Sequence, residues 1–89
     1  MVSQDILIIN RLGLHARAAA QLVRLANQYP CDILLAKDGQ VKNAKSVMEV
    51  LMLGATKDTS IKVSADGEKE GEALEAIAAL FGANFNELE

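Results

Sequence analysis

The 89-residue chain has a single cysteine, a single proline, no tryptophan and only three aromatic rings, two Phe and one Tyr. One cysteine excludes an internal disulfide, and one histidine beside it cannot complete a structural zinc site. Cys31 therefore reads as a small buried apolar residue at the start of a strand. So few aromatics leave no stacking platform for single-stranded nucleic acid. Nor is there a cationic excess, since nine Lys and Arg are interspersed among twelve Asp and Glu for a net charge of -3, whereas a phosphate-backbone binder needs clustered positive surface. No stretch is long enough to span a bilayer, and residues 1–5 lack the basic region and apolar run of a secretory leader. The chain is thus expected to be cytoplasmic, without membrane insertion or nucleic acid as a partner.

Linkers, repeats and low-complexity tracts are absent too, so one domain over residues 1–89 is expected, with 51% hydrophobic content to supply its core. Ile6-Leu7-Ile8-Ile9 within residues 5–10 predicts a central strand. Residues 11–14 form the loop that follows. Ala19, Leu22, Val23 and Ala26 recur at helical spacing opposite Arg17, Gln21, Arg24 and Gln28, predicting an amphipathic helix over 16–29 ended by Pro30. A strand over 31–36 and a short one through Val41 flank the hairpin signal Asp38-Gly39. Ser46-Val47-Met48-Glu49 fits a capping box, with the Ser hydroxyl accepting from the Glu49 N–H and the Glu carboxylate returning to the Ser46 N–H, opening a short helix that ends near Gly54. Ile61, Val63 and Ala65 alternate with polar residues as a strand, broken by Asp66-Gly67. A last helix over 70–81 carries Leu74, Ile77 and Phe81 on one face, Glu70 and Glu72 at its positive end, and Gly82 as C-cap. The order βαββαβα is most simply met by an α+β fold, a four-stranded antiparallel sheet with three helices on one face.

Within this framework Gly13-Leu14-His15-Ala16-Arg17 holds the only histidine, where a loop meets the start of the first helix. A helix start favours Ser, Thr, Asp or Asn and disfavours a cation, because its N–H groups are unpaired and its dipole end is positive. The same features suit a neutral, nucleophilic imidazole that then carries a phosphoryl group, with the N–H groups of Ala16 and Arg17 and the Arg17 guanidinium directed at the phosphate oxygens. On these residues alone, a phosphoryl acceptor and a loop histidine whose ring packs on Leu14 or hydrogen-bonds a neighbouring carbonyl remain alternatives.

The run Asn10-Arg11-Leu12-Gly13-Leu14-His15-Ala16-Arg17, the segment Asn43-Ala44-Lys45-Ser46-Val47-Met48, the stretch Leu51-Met52-Leu53-Gly54-Ala55 and an Ala-rich third helix together resemble the HPr family of bacterial phosphocarriers, including its nitrogen-related NPr branch. The resemblance covers nearly the whole chain. It implies an open-faced β-sandwich, phosphorylation of His15 on Nδ1 by enzyme I, and onward transfer to a histidine of an EIIA-type protein. A carrier of this kind is itself the substrate rather than an enzyme, and it requires no metal or cofactor, because the energy is stored in the donor's N–P bond. It is expected to act as a monomer. One departure stands out: Ala18 follows Arg17 where the family usually has Pro, which removes a preset first-turn dihedral but keeps a good helix former.

Ser46 is accounted for as a helix cap; the resemblance adds that some members carry a regulatory phosphate at the matching serine, placed by an HPr serine kinase. Val47, Met48, Leu51 and Met52 could all be core, but so short a helix cannot bury all four on one side, so one or more, Met48 above all, is expected to be exposed beside the His15 loop with Ala16 and Ala20 as a docking surface. Arg11 and Arg24 would widen a positive field toward an acidic partner. The rival from another class is a regulatory binding module whose partners respond to the phosphorylation of His15 or Ser46, with little transport flux; a small-molecule sensor domain has no pocket motif to support it.

Overall fold

The computed structural model describes residues 1–86, so that the last three residues of the expected domain lie outside them. Four strands, β1 (Val2–Leu7), β2 (Asp32–Lys37), β3 (Gln40–Asn43) and β4 (Ser60–Asp66), form one antiparallel sheet in the order β1-β4-β2-β3. Three helices, α1 (Ala16–Ala26), α2 (Val47–Met52) and α3 (Glu70–Gly82), cover one face, and α1 packs on both α2 and α3. This is the α+β arrangement expected from the element order.

The pleat sorts the residues. Ile6, Ile33, Leu35, Ile61, Val63 and Ala65 point to the helices and are buried, as Ser3, Asp5, Lys62 and Leu34 on the alternate positions are not. The same alternation corrects the reading of the first strand. It spans Val2–Leu7 and lies at the edge of the sheet, not its centre. Ile6 and Ile8 face inward while Leu7 and Ile9 are 52% and 46% exposed, so of the burial on at least one face that the apolar run predicts, one face is found. Ile8 continues the pairing past the strand's end, donating to Thr59 O at 2.9 Å and accepting from Asp58 N–H at 2.8 Å.

Other boundaries shift for local reasons. α1 stops at Ala26 because Asn27 caps it, its side-chain amide donating to Val23 O at 2.9 Å; the chain then turns for three residues before Pro30. Asp38 and Gly39 both have positive φ (49° and 82°) inside the Lys37 to Gln40 pair, the two-residue turn the sequence predicts. β3 continues to Asn43, and β4 to Asp66. Gly82 is the last residue of α3 rather than its left-handed cap; Ala83 follows, and positive φ appears only at Asn84 and Phe85. That turn folds Phe85 back against Phe81, edge to face with centroids 4.8 Å apart. Leu74, Ile77 and Phe81 are buried together as expected, and Cys31 is buried just before β2. No helix is long and apolar enough to cross a membrane among the described residues.

Candidate functional site

Between β1 and α1 the chain makes a tight, fully tied loop. Gly13 N–H donates to Asn10 O at 3.1 Å, and the Asn10 side-chain amide donates back to Gly13 O at 2.6 Å. Gly13 has φ +65°, and a Cβ on it would lie 2.6 Å from Ala55 O and 2.7 Å from Thr56 Cα, so the loop sits hard against the segment after α2 and no other residue fits. Leu14 N–H donates to that same Ala55 O at 3.0 Å, and its side chain is buried.

His15 is the N-cap of α1, half-buried, with extended dihedrals (φ −80°, ψ 178°) and no side-chain capping bond. Its N–H donates to Gly13 O at 3.0 Å and its carbonyl accepts from Ala19 N–H at 2.8 Å. The first-turn N–H groups of α1 have no acceptor within the helix. α2 and α3 place Glu49, and Glu70 with Glu72, in their first turns, whereas α1 has no acidic residue there and carries Arg17 instead. Ala16 and Arg17 are exposed; Ala18, by contrast, is wholly buried, so the residue that stands where the family usually has Pro belongs to the core as well as to the first turn.

Ser46 caps α2, its Oγ accepting from Glu49 N–H at 3.3 Å. Only half of the predicted capping box forms. The Glu49 carboxylate accepts from Asn43 N–H at 2.9 Å, because Ser46 N–H is already directed to Asn43 O at 3.2 Å. The segment is clasped to the far end of α1: Asn27 Nδ2 donates to Lys45 O at 3.3 Å, and Lys45 Nζ donates to Tyr29 O at 2.6 Å. α2 then runs back, and Ala55 receives Leu14, so α1 and α2 are antiparallel. Ser46 and His15 are thereby set toward opposite ends of α1, an 11-residue helix roughly 16 Å long.

α2 buries Val50, with Leu53 just after it, and exposes the other side. Val47, Met48, Leu51 and Met52 are 38%, 68%, 39% and 58% exposed, and Leu12 in the His15 loop is 53% exposed. Met48 is indeed the most open of the four, but it lies in the first turn of α2, toward the C-terminal end of α1. The turn nearest the His15 loop carries Met52. On α1, Ala20 is half-buried and Arg24, in the last turn, is exposed. Asn10, Leu12 and Lys45 lie in the segments that carry the family resemblance but were given no role of their own by sequence reasoning; for Asn10 the local signal is that Asn three residues before Gly marks a turn. No group of three His, Cys, Asp or Glu side chains that could hold a metal exists among the described residues.

The geometry is that of a small α+β protein built to present one histidine at an open helix N-terminus. Residues 2–83 match the family described as PTS HPr component phosphorylation site, and the chain belongs to the HPr family. It is 45% identical to the phosphocarrier protein NPr of Klebsiella oxytoca over 97% of each chain, and 43% identical to the phosphocarrier protein HPr of Pseudomonas aeruginosa over 98% of each. The crystal structure of an HPr from Thermoanaerobacter tengcongensis superposes with a TM-score of 0.96 at 38% identity, covering all of both chains. Proteins so named carry phosphoryl groups and are not themselves enzymes.

Proposed function

We propose that this chain is a histidine phosphocarrier that accepts a phosphoryl group from phospho-enzyme I on His15 and passes it to a histidine of an EIIA-type protein, of the sugar or the nitrogen-related system. The observation that carries this reading is His15 itself, an N-cap residue that makes no side-chain cap and heads a helix with no acid in its first turn. The Nδ1 lone pair of the neutral ring attacks phosphorus in line, the donor's N–P bond breaks, and its electron pair remains on the donor imidazole. The transferred group arrives as an anion where the helix start presents N–H donors; the N–H groups of Ala16 and Arg17 and the Arg17 guanidinium hold its oxygens. The exposed stripe of Val47, Met48, Leu51 and Met52, with Ala20 and Arg24 of α1, supplies a modest docking surface that releases each partner after transfer.

The test is incubation with enzyme I and labelled phosphoenolpyruvate, followed by transfer to EIIA-type acceptors of each system. The label should be acid-labile, base-stable and confined to His15, since the chain has no other histidine. Label of this kind on a His15→Ala variant would sink the assignment.

A regulatory reading stands beside it. Ser46 Oγ caps α2 at the other end of α1 from His15. A phosphate placed there by an HPr serine kinase gains from the helix dipole without unfolding α2, and sets negative charge on the docking surface rather than on the His15 loop.

A further inference from the structure

We propose that Asn10 is the positioning residue of His15. The inference deepens the phosphocarrier reading and rests on it. Among the described residues Asn10 is the only buried polar one, at 1% exposure. An amide is costly to bury without partners, so its side chain must be accounted for. Its Nδ2 donates to Gly13 O at 2.6 Å, and that same oxygen accepts His15 N–H at 3.0 Å. A carbonyl only accepts, so the amide nitrogen, and not its oxygen, must face Gly13. One oxygen thus joins the Asn10 side chain to the backbone of the residue that is to be phosphorylated.

The Gly13–Leu14 peptide is planar and is anchored at both of its edges. Asn10 O holds Gly13 N–H, Ala55 O holds Leu14 N–H, and Gly13 is pressed on Ala55 and Thr56 with no room for a side chain. The Asn10 amide holds the other edge of that peptide at Gly13 O, the oxygen on which His15 N–H rests, and so steadies the backbone from which the imidazole leaves the chain. A buried apolar residue at position 10 would fill the same space and leave that carbonyl edge held by His15 N–H alone, so the peptide could tilt about its Ala55 anchor. In-line transfer between two histidines tolerates little misplacement, so the consequence falls on rate rather than on affinity.

The Asn10→Asp variant tests this on the full chain. It keeps the shape and replaces the donor by an acceptor at neutral pH. The His15 amide resonance should move and its hydrogen exchange quicken, while the transfer rate from phospho-enzyme I falls by about tenfold or more with enzyme I affinity held within about twofold. Acidification that protonates the introduced carboxyl restores a donor and should return the His15 amide toward its wild-type position. A folded Asn10→Asp protein with a wild-type transfer rate, or with an unmoved His15 amide, overturns the proposal. Should that variant not fold, the wild-type protein decides the matter: phosphorylation of His15 must shift the Asn10 side-chain amide resonances, and unshifted resonances overturn it. A wild-type protein that never accepts phosphate refutes the carrier reading itself, an outcome distinct from a slow variant beside a competent wild type.

Discussion

Arg17 occupies the second position of α1 with its side chain exposed, at a terminus whose dipole opposes a cation. In the proposed carrier, a phosphate dianion on His15 would reverse that unfavourable placement. Arg17→Ala should therefore slow phosphoryl transfer while changing unfolding free energy by no more than about 0.5 kcal/mol. Kinetics with phospho-enzyme I and a denaturant melt check the two halves separately, and parallel losses in both would make Arg17 structural. Lys69 is the opposite kind of residue. It is the N-cap of α3, exposed, at φ +64°; its carbonyl accepts from Ala73 N–H at 3.0 Å but its side chain caps nothing, so it carries left-handed strain that a glycine would not. Lys69→Gly should raise stability by roughly 1 kcal/mol, read as an increase in the denaturation midpoint.

Helix starts show how the elements are held. At α2, Ser46→Ala should cost about 1 kcal/mol through loss of the bond to Glu49 N–H, whereas Ser46→Asp keeps a capping oxygen and chiefly weakens enzyme I binding. Calorimetry and titration with enzyme I separate these effects; a Ser46→Asp protein that binds and transfers as wild type ends the regulatory reading. At α3, Gly67 N–H donating at 3.1 Å, followed by the Met1 ammonium 3.2 Å away, holds the Glu70 carboxyl below its ordinary range, and Glu70 in turn raises the ammonium's value. A carboxyl whose folded value is depressed contributes stability above its unfolded value, and that contribution is lost as pH falls through the folded one. Glu70→Gln should melt earlier than wild type at neutral pH, with the gap closing as the medium is acidified through the carboxylate range. The raised ammonium adds stability that is lost at the alkaline side, so the gap should also narrow there.

How far these elements are legible in the sequence follows from the range of each signal. The hairpin at Asp38-Gly39, the cap at Ser46, the helix end near Gly54 and the face shared by Leu74, Ile77 and Phe81 depend on neighbours within four residues, and each is found where the sequence predicts it. His15 at a helix start is legible for the same reason. The place of β1 at the sheet edge, the diversion of the Glu49 carboxylate to Asn43 and the clasp of Lys45 on Tyr29 depend on which segments meet in space, and no local pattern carries that. Asn10 belongs to the motif around His15, but it is buried in a loop whose Gly13 packs on Ala55 and Thr56, more than forty residues away in sequence, and no local pattern carries that contact.

Across the whole molecule, the core and the exposed surface proposed for docking lie on opposite sides of the same helices. α1 turns Ala18, Ala19, Leu22 and Ala26 into the core and leaves Ala16, Arg17 and Arg24 outside; α2 buries Val50 and exposes Met48 and Met52. Substitutions on the two sides should therefore separate cleanly. Leu22→Ala removes a wholly buried side chain and should cost about 2–5 kcal/mol, leaving transfer intact in the fraction that remains folded. Met48→Ser, at a residue 68% exposed, should leave unfolding free energy within about 0.5 kcal/mol and weaken binding to enzyme I by about 1 kcal/mol or more, seen as a higher KM with little change in kcat. Both variants are scored by denaturant unfolding and by transfer kinetics at a temperature where each is folded. If Met48→Ser instead lost stability and kept its KM, the exposed stripe of α2 would be packing surface, and docking would have to be carried by α1 and the His15 loop alone.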